Sequence, residues 1–309
     1  MKRIIIIRTT GGELANQLWN YASVYAYCKE RGYELLNPNF YEYGNYFNIP
    51  APSKFLNIFF SAFINYPGRK DTIKRRLWRK LYSYYSSSIL AKNKMAIIVS
   101  DNKEGLPFYL PPTKENEKLS VVEKNNNTIY FDGWLFRNPV GVEKYRKEIM
   151  EYLRPRQDIN SAVEAQVSSL QKKFKNIVGV HIRQGDYKIW RGGVYYINQS
   201  RIREILEEYL KENNLKNEEI CFAIASDGKV DKNLFNGLNV FLSKANLVYD
   251  LLFLSKTSTI IGSNGTFGAF ASYLGNIPFI VMENGRMDWS YYKNKNSYFE
   301  NKYSTFVYY

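Results

Sequence analysis

Residues 178–187 read VGVHIRQGDY, and the organisation of the chain follows from them. The run Ile177–Ile182 is apolar and rich in β-branched residues, the pattern of a short strand buried on both faces. Its last two residues are His181, the single histidine of 309 residues, and Ile182, and it then breaks into Arg183-Gln184-Gly185-Asp186, a charged turn. A strand buried on both faces needs parallel neighbours and covering helices, and the second half of the chain supplies both. A helical pattern over about 158–173 precedes the strand, and a second helix carries Ile202, Ile205, Leu206, Tyr209 and Leu210 at helical spacing. Strand CFAIAS follows at 221–226, then a helix at about 246–255 and strand TII at 259–261. A helix from Thr266 to about Leu274 and strand PFIVM at 278–282 close the series. This alternation predicts an α/β fold with a parallel sheet covered on both faces. Right-handed crossovers then put all the strand C-termini on one edge, where such folds bind ligands.

Three of those strand ends carry polar residues: His181-Ile182-Arg183 with Asp186, Ser226-Asp227, and Gly262-Ser263-Asn264-Gly265-Thr266. The third cluster opens a helix, whose first backbone N–H groups and dipole favour an anion such as a phosphate. Arg183 adds a permanently charged, bidentate donor for the same group. Ser, Asn and Thr before a helix are also ordinary capping residues, so each cluster alone decides nothing.

Outward from this core, the first half reads as strand Arg3–Arg8, loop Thr9–Glu13, and a helix with Leu14, Leu18, Tyr21, Ala22 and Tyr25 on one face. Residues 37–67 are rich in Asn, Pro, Tyr and Phe without periodicity. RKDTIKRRLWRK at 69–80 predicts a basic amphipathic helix with Ile73, Leu77, Trp78 and Leu81 as its apolar stripe. It suits either a membrane surface through 69–82 or packing on its own domain. TIYFDG at 128–133 predicts a strand, and 141–153 a helix ending before Pro155. The domain boundary is expected near RPRQD, giving domains 1–155 and 156–309.

The net charge of +14 suits an anionic partner: nucleic acid, an anionic membrane or an anionic small molecule. The two cysteines, Cys28 and Cys221, read as buried reduced thiols of a cytoplasmic protein. No secretory leader and no run long enough to span a membrane are read in the sequence. The sequons at Asn126, Asn198 and Asn264 are therefore taken as chance. One histidine and two dispersed cysteines give no metal-ligand spacing, and no P-loop, GxGxxG or nucleophile elbow is present.

Four motifs, in order, make the chain resemble the glycosyltransferase family 11 α-1,2-fucosyltransferases. The first is Gly12-Glu13-Leu14-Ala15-Asn16-Gln17-Leu18-Trp19-Asn20-Tyr21-Ala22, similar to the family's G-G-x-G-N-Q-[LM]-[FW]-x-Y-A. His181-Ile182-Arg183-Gln184-Gly185-Asp186-Tyr187 is similar to H-x-R-R-x-D-Y, and Ser226-Asp227-Gly228 to S-D-D. Asp250 followed by Asn264-Gly265-Thr266-Phe267-Gly268-Ala269-Phe270 resembles D…N-S-T-F-S-W-W. FDGW at 131–134 resembles a further family segment, GYWQS, with Phe136 and Arg137 at its Gln and Ser. The departures are Glu13, Ala15, Gln184, Gly228, Ala269 and Phe270.

The resemblance implies a GT-B-like architecture, two Rossmann-like domains with parallel sheets facing across a cleft, with donor on the C-terminal domain and acceptor on the N-terminal one. It implies inverting, metal-independent transfer of L-fucose from GDP-fucose to a glycan hydroxyl, the 2-OH of a galactoside, with no cofactor. Lipid-linked acceptors and a peripheral place at the cytoplasmic membrane face fit such a role, in polysaccharide biosynthesis. Arg183 would hold the β-phosphate and His181 the ribose or guanine region. Asp250 would accept from guanine, and Asp227, Asn264, Thr266 and Phe267 would complete the donor site. Gly12, Asn16 and Gln17 would lie on the acceptor-side loop. Glu13 and Asp186 are the two candidates for the base. Other nucleotide sugars, or a nucleotide- or glycan-binding protein without turnover, remain open. Nucleic acid is not an expected partner, because it leaves the ordered motifs unexplained.

Overall fold

The computed structural model describes residues 2–7, 12–48, 73–92, 96–101, 106–125, 128–243 and 246–300. Arg8 and Thr9 of the first loop, most of the irregular 37–67 stretch, and Asn126 lie outside these residues. The chain divides into two compact units after Arg156.

In the first unit, β1 (Arg3–Ile7) is followed by α1 (Leu14–Arg31) and β2 (Glu34–Leu36). Then come α2 (Ile73–Lys92), β3 (Ile97–Ser100), β4 (Phe108–Tyr109), β5 (Ile129–Asp132) and β6 (Phe136–Arg137). Two short helices, α3 (Pro139–Lys144) and α4 (Arg146–Tyr152), close the unit. The main sheet has order β2-β1-β5-β3 and is parallel throughout. Helix α1 buries Leu14, Leu18, Trp19, Tyr21, Ala22, Val24 and Tyr27, apolar residues on nearly every side, as a helix enclosed by its unit must. It stops at Gly32, whose φ of 66° is the left-handed cap that glycine adopts without strain.

The single helix expected at 141–153 is two helices, because Tyr145 leaves helical geometry (φ −103°, ψ 22°) and caps one while opening the next. The basic helix is longer than predicted, running to Lys92 through a Tyr/Ser-rich stretch with little apolar periodicity. Among its described side chains Tyr82 and Ser86 are buried, whereas Leu77, Leu81 and Tyr84 are exposed.

The second unit contains α5 (Gln157–Gln171), β7 (Asn176–Ile182), α6 (Gln199–Glu212), β8 (Ile220–Ser226), β9 (Val240–Leu242), α7 (Leu247–Ser255), β10 (Thr259–Gly262), α8 (Thr266–Gly275) and β11 (Phe279–Val281). Its sheet is parallel, in the order β11-β10-β7-β8-β9. Strand β9, three residues at the edge, has no counterpart in the sequence reading. One face of β7 and β8 packs Val178, Val180, Phe222 and Ile224 with Ile202, Ile205 and Leu206 of α6. Gly179 has a packing reason: a Cβ there would stand 2.9 Å from both Leu254 Cδ2 and Thr257 Oγ1, so glycine lets the chain after α7 close on the strand. Both cysteines are buried and unbridged, and burial pushes the Cys221 thiol up to about 11. Asn198 caps α6, accepting from Arg201 N–H at 2.8 Å. Among the described residues no helix is long and apolar enough to cross a membrane.

Candidate functional site

Sheet register puts Gly262, His181 and Ala225 side by side on β10, β7 and β8. The polar residues that follow these three strands therefore leave one edge together, between strands whose connections run to opposite sides of β7. That point of divergence is where open parallel sheets leave a crevice.

Arg183 is the centre of the cluster. Its backbone N–H donates to Ser263 Oγ at 3.0 Å, which ties the end of β7 to the end of β10. Its guanidinium donates through Nε and Nη2 to the two carboxylate oxygens of Asp186 at 2.9 and 3.0 Å. Asp227 Oδ2 lies 3.2 Å from the same Nε. Asp227 also accepts the backbone N–H groups of Gln184 (2.7 Å) and Gly185 (3.1 Å), so it shapes the turn that carries Arg183. Burial alone would lower the Arg183 pKa, but Asp186 and Asp227 outweigh it and hold the guanidinium charged above its ordinary value. The two carboxylates differ in access: Asp186 is 54% exposed and Asp227 15%. An arriving anion would take the guanidinium fork from Asp186, the outer of the two.

Beside Arg183 stands the N-terminus of α8. Its cap residue is Gly265, without a capping side chain, so the first-turn N–H groups at Thr266 and beyond have no side-chain acceptor from the cap. Asn264 Oδ1 is buried with no hydrogen-bond partner among the described residues. Tyr187 Oη donates to Asn264 O at 2.7 Å, binding the loop after β7 to the loop before α8. His181 is buried and its ring stacks on Phe267, centroids 4.8 Å apart. Gly262 leaves room for it, since a Cβ there would meet His181 Cβ at 3.2 Å, and Gly268 leaves room for Phe279, which a Cβ there would meet at 2.8 Å. The histidine is thus packed into the wall of the site.

Asp250 occupies the first turn of α7, after β9, at the same sheet edge. It accepts from Ser243 Oγ. Burial pushes its carboxyl up to about 6, against the lowering effect of that hydrogen bond. Arg183, Asp186 and Asp227 are therefore joined directly, His181 and Phe267 pack together, and Asp250 stands further along the edge. Glu13, Gly12, Asn16 and Gln17 belong to the other unit. There Glu13 caps α1 through its backbone, while its carboxylate accepts from Tyr43 Oη (3.3 Å) and Arg79 Nη2 (3.5 Å). Gln17 Nε2 donates to Gly12 O at 3.2 Å, and Asn16 Oδ1 is buried without a partner among the described residues.

Ser243 was missed by sequence reasoning, because a serine after a strand gives no pattern, and Ser263 was read only as part of its cluster, without its bond to Arg183. The departures from the family motifs also acquire places. A Cβ on Gly228 would stand 2.7 Å from Gln184 Cβ, so these two departures face each other. Gln184 is itself buried and donates to Ile197 O at 3.1 Å. Ala269 and Phe270 are wholly buried on α8, within the core.

No curated protein matches the chain. Among solved structures it is similar to POFUT1 in complex with GDP-fucose (TM-score 0.55, 12% identity, covering 90% of this chain and 97% of that one). It is similar also to a mutant of FUT1 from Arabidopsis thaliana in complex with GDP (0.53, 12%, 92% and 71%). A third is NodZ α-1,6-fucosyltransferase co-crystallised with GDP (0.51, 15%, 92% and 96%). At these identities the likeness establishes the fold, which is of the GT-B type. Residues 118–304 match a family as well as a fold, and on that match the chain belongs to glycosyl transferase family 11.

Proposed function

We propose that the chain is an inverting fucosyltransferase that moves L-fucose from GDP-fucose to a hydroxyl of a glycan acceptor, the 2-OH of a galactoside. The observation that carries this reading is Arg183, a charged fork set beside the N-terminus of α8, whose cap residue is a glycine, at the sheet edge. Membership of the family and the GDP and GDP-fucose bound to structurally similar proteins support the choice of donor.

In this mechanism the acceptor oxygen attacks C1 of GDP-β-L-fucose as the bond from C1 to the β-phosphate oxygen breaks. GDP leaves with the bonding pair, and the acceptor proton passes to a base. Charge grows on the leaving diphosphate. Arg183 and the first-turn amides of α8 meet it from fixed positions, which is why they lower the barrier. Asp186 holds Arg183 in the absence of donor, and Asp227 keeps the turn in shape throughout. Asp250 accepts from guanine N–H groups. His181 and Phe267 form an apolar and aromatic wall beside the nucleotide. The base is Glu13 or Asp186: the Glu13 carboxylate is held by Tyr43 and Arg79, and Asp186 is released once the donor takes the Arg183 fork.

The exposed Leu77, Leu81 and Tyr84 on α2, with Lys80 between them and a basic sequence before them, form a peripheral contact for an anionic membrane. The test of the donor is release of the free nucleotide from a panel of nucleotide sugars, followed by transfer to an acceptor array. Turnover of GDP-fucose ahead of the other nucleotide sugars is expected. Turnover of another sugar in its place would overturn the assignment.

A further inference from the structure

The loop between β7 and α6 carries a group of side chains that the donor chemistry does not use. Its sequence is DYKIWRGGVYY, 186–196. Tyr187 and Trp190 stack with centroids 5.4 Å apart and planes at 16°, and Tyr195 packs on Trp190 at 5.2 Å. The cluster stands outside the core. Trp190 is 38% exposed, with the Arg191 guanidinium 5.1 Å from its ring centroid, and its neighbours Ile189 and Val194 are 83% and 63% exposed.

Loops usually shed exposed aromatic surface unless something binds it. This one is also built to stay in place. Tyr187 is fastened to Asn264 O, Tyr196 Oη donates to Gln184 Oε1 at 3.3 Å, and Asn284 Nδ2 donates to Tyr196 O at 2.9 Å. The backbone turns through three successive left-handed residues, Arg191, Gly192 and Gly193, with φ of 48°, 70° and 79°. For Arg191 that conformation is costly, and such cost is typically retained where a side chain must be presented.

The cluster is continuous with the phosphate site. The Arg183 guanidinium lies 5.4 Å from the Tyr187 ring, and the Tyr187 hydroxyl reaches the residue before the α8 cap. On the reading given above, the acceptor must bring its hydroxyl to bonding distance of the donor's anomeric carbon, beside that same site. A pyranose presents a flat face of C–H groups, and a rigid, partly exposed aromatic is its natural partner. We propose that Trp190, backed by Tyr187 and Tyr195, is an acceptor platform on which a neutral sugar ring of the glycan stacks, making Trp190 a specificity-determining residue. The inference rests on the transferase reading, and it adds an acceptor contact from the second unit.

The test uses the full chain, GDP-fucose and an array of neutral oligosaccharides that includes lactose and N-acetyllactosamine. Trp190→Ala should raise the acceptor KM on the order of tenfold, the loss of one stacked ring, and leave the Kd for GDP unchanged. Trp190→Phe should recover most of the loss. An unchanged acceptor KM in a folded Trp190→Ala variant would overturn the platform. So would an equal weakening of GDP, which would make the ring a support for the donor site. Transfer by the wild type to no neutral glycan, with donor hydrolysis intact, overturns it as well, as does loss of liposome binding in Trp190→Ala. Absence of donor hydrolysis in the wild type sinks the transferase reading itself, a result separate from all of these.

Discussion

Arg183 is the residue on which the proposed chemistry turns, and its surroundings set what its removal should do. Arg183→Ala leaves Asp186 and Asp227 facing each other without a cation, but near the surface, so the fold is expected to persist. Turnover should fall by a factor corresponding to about 3 kcal/mol or more, typical of losing one preorganised charge contact. Arg183→Lys should recover little, because an ammonium cannot reproduce the two-pronged geometry seen with Asp186. Steady-state kinetics on folded variants decides this, and near-wild-type turnover in Arg183→Ala would remove it from the mechanism. Asp250 supports a prediction of another kind. Its native pKa of about 6 lies above the ordinary value near 4, so the folded state holds this proton more tightly than the unfolded chain does. The stability it contributes is complete below about pH 4 and is lost as pH rises to about 6. Guanine N–H donors need the ionised carboxylate, so GDP affinity should rise with pH through the same window. Calorimetric titrations of GDP between these limits should show the rise in the wild type and none in Asp250→Asn. Much of this was legible at the residue level, because His181, Arg183, Asp186 and Asp227 fall in short local motifs. The bond between Ser263 and Arg183 was not: it spans 80 positions, and no local pattern encodes it.

Among the elements, α2 is the one whose role the sequence left open between a membrane surface and packing on its own domain. Of its apolar stripe, Leu77 and Leu81 are exposed, while Tyr82 and Ser86 are buried. Helical periodicity locates an apolar stripe but does not say what covers it. If the stripe meets lipid, Leu77→Glu with Leu81→Glu should abolish sedimentation with anionic liposomes, and high salt should weaken it in the wild type. Wild-type binding in the double variant would exclude α2 as the contact. Strands β7, β8 and β10 were readable because burial on both faces makes them continuous apolar runs. Strand β9 was not, because three half-buried residues at an edge give neither a run nor an alternation. The split between α3 and α4 was hidden for a related reason: Tyr145 is neither Gly nor Pro, and its break shows only in backbone angles.

For the whole molecule, the α/β class and the parallel sheets followed from the alternation of patterns, and the division after Arg156 falls where the composition turns to RPRQD. The acceptor's identity did not follow, because the irregular segments expected to meet it have side chains that obey no period. The built-in charges at the donor edge lead to a prediction about the intact protein. Arg183 and the amides of α8 are covalent parts of the chain, so turnover of GDP-fucose should survive excess EDTA, with at most modest stimulation by Mg²⁺ through complexation of free GDP. Complete loss, restored by Mn²⁺ or Mg²⁺, would show that a carboxylate assigned to holding Arg183 is a metal ligand. The order β11-β10-β7-β8-β9 has one more consequence. Strand β7 is the middle strand, with two neighbours on either side, so its amides should be the last in the second unit to exchange with deuterated solvent. The turn at 183–187 hangs from that slow strand, yet its own amides lie at the rim. Deuterium uptake should therefore slow on adding GDP in peptides covering 183–187 and 263–267, while Val178–His181 stays protected with or without nucleotide. Uptake by β7 that changed along with the turn would mean that the sheet itself breathes when the nucleotide leaves.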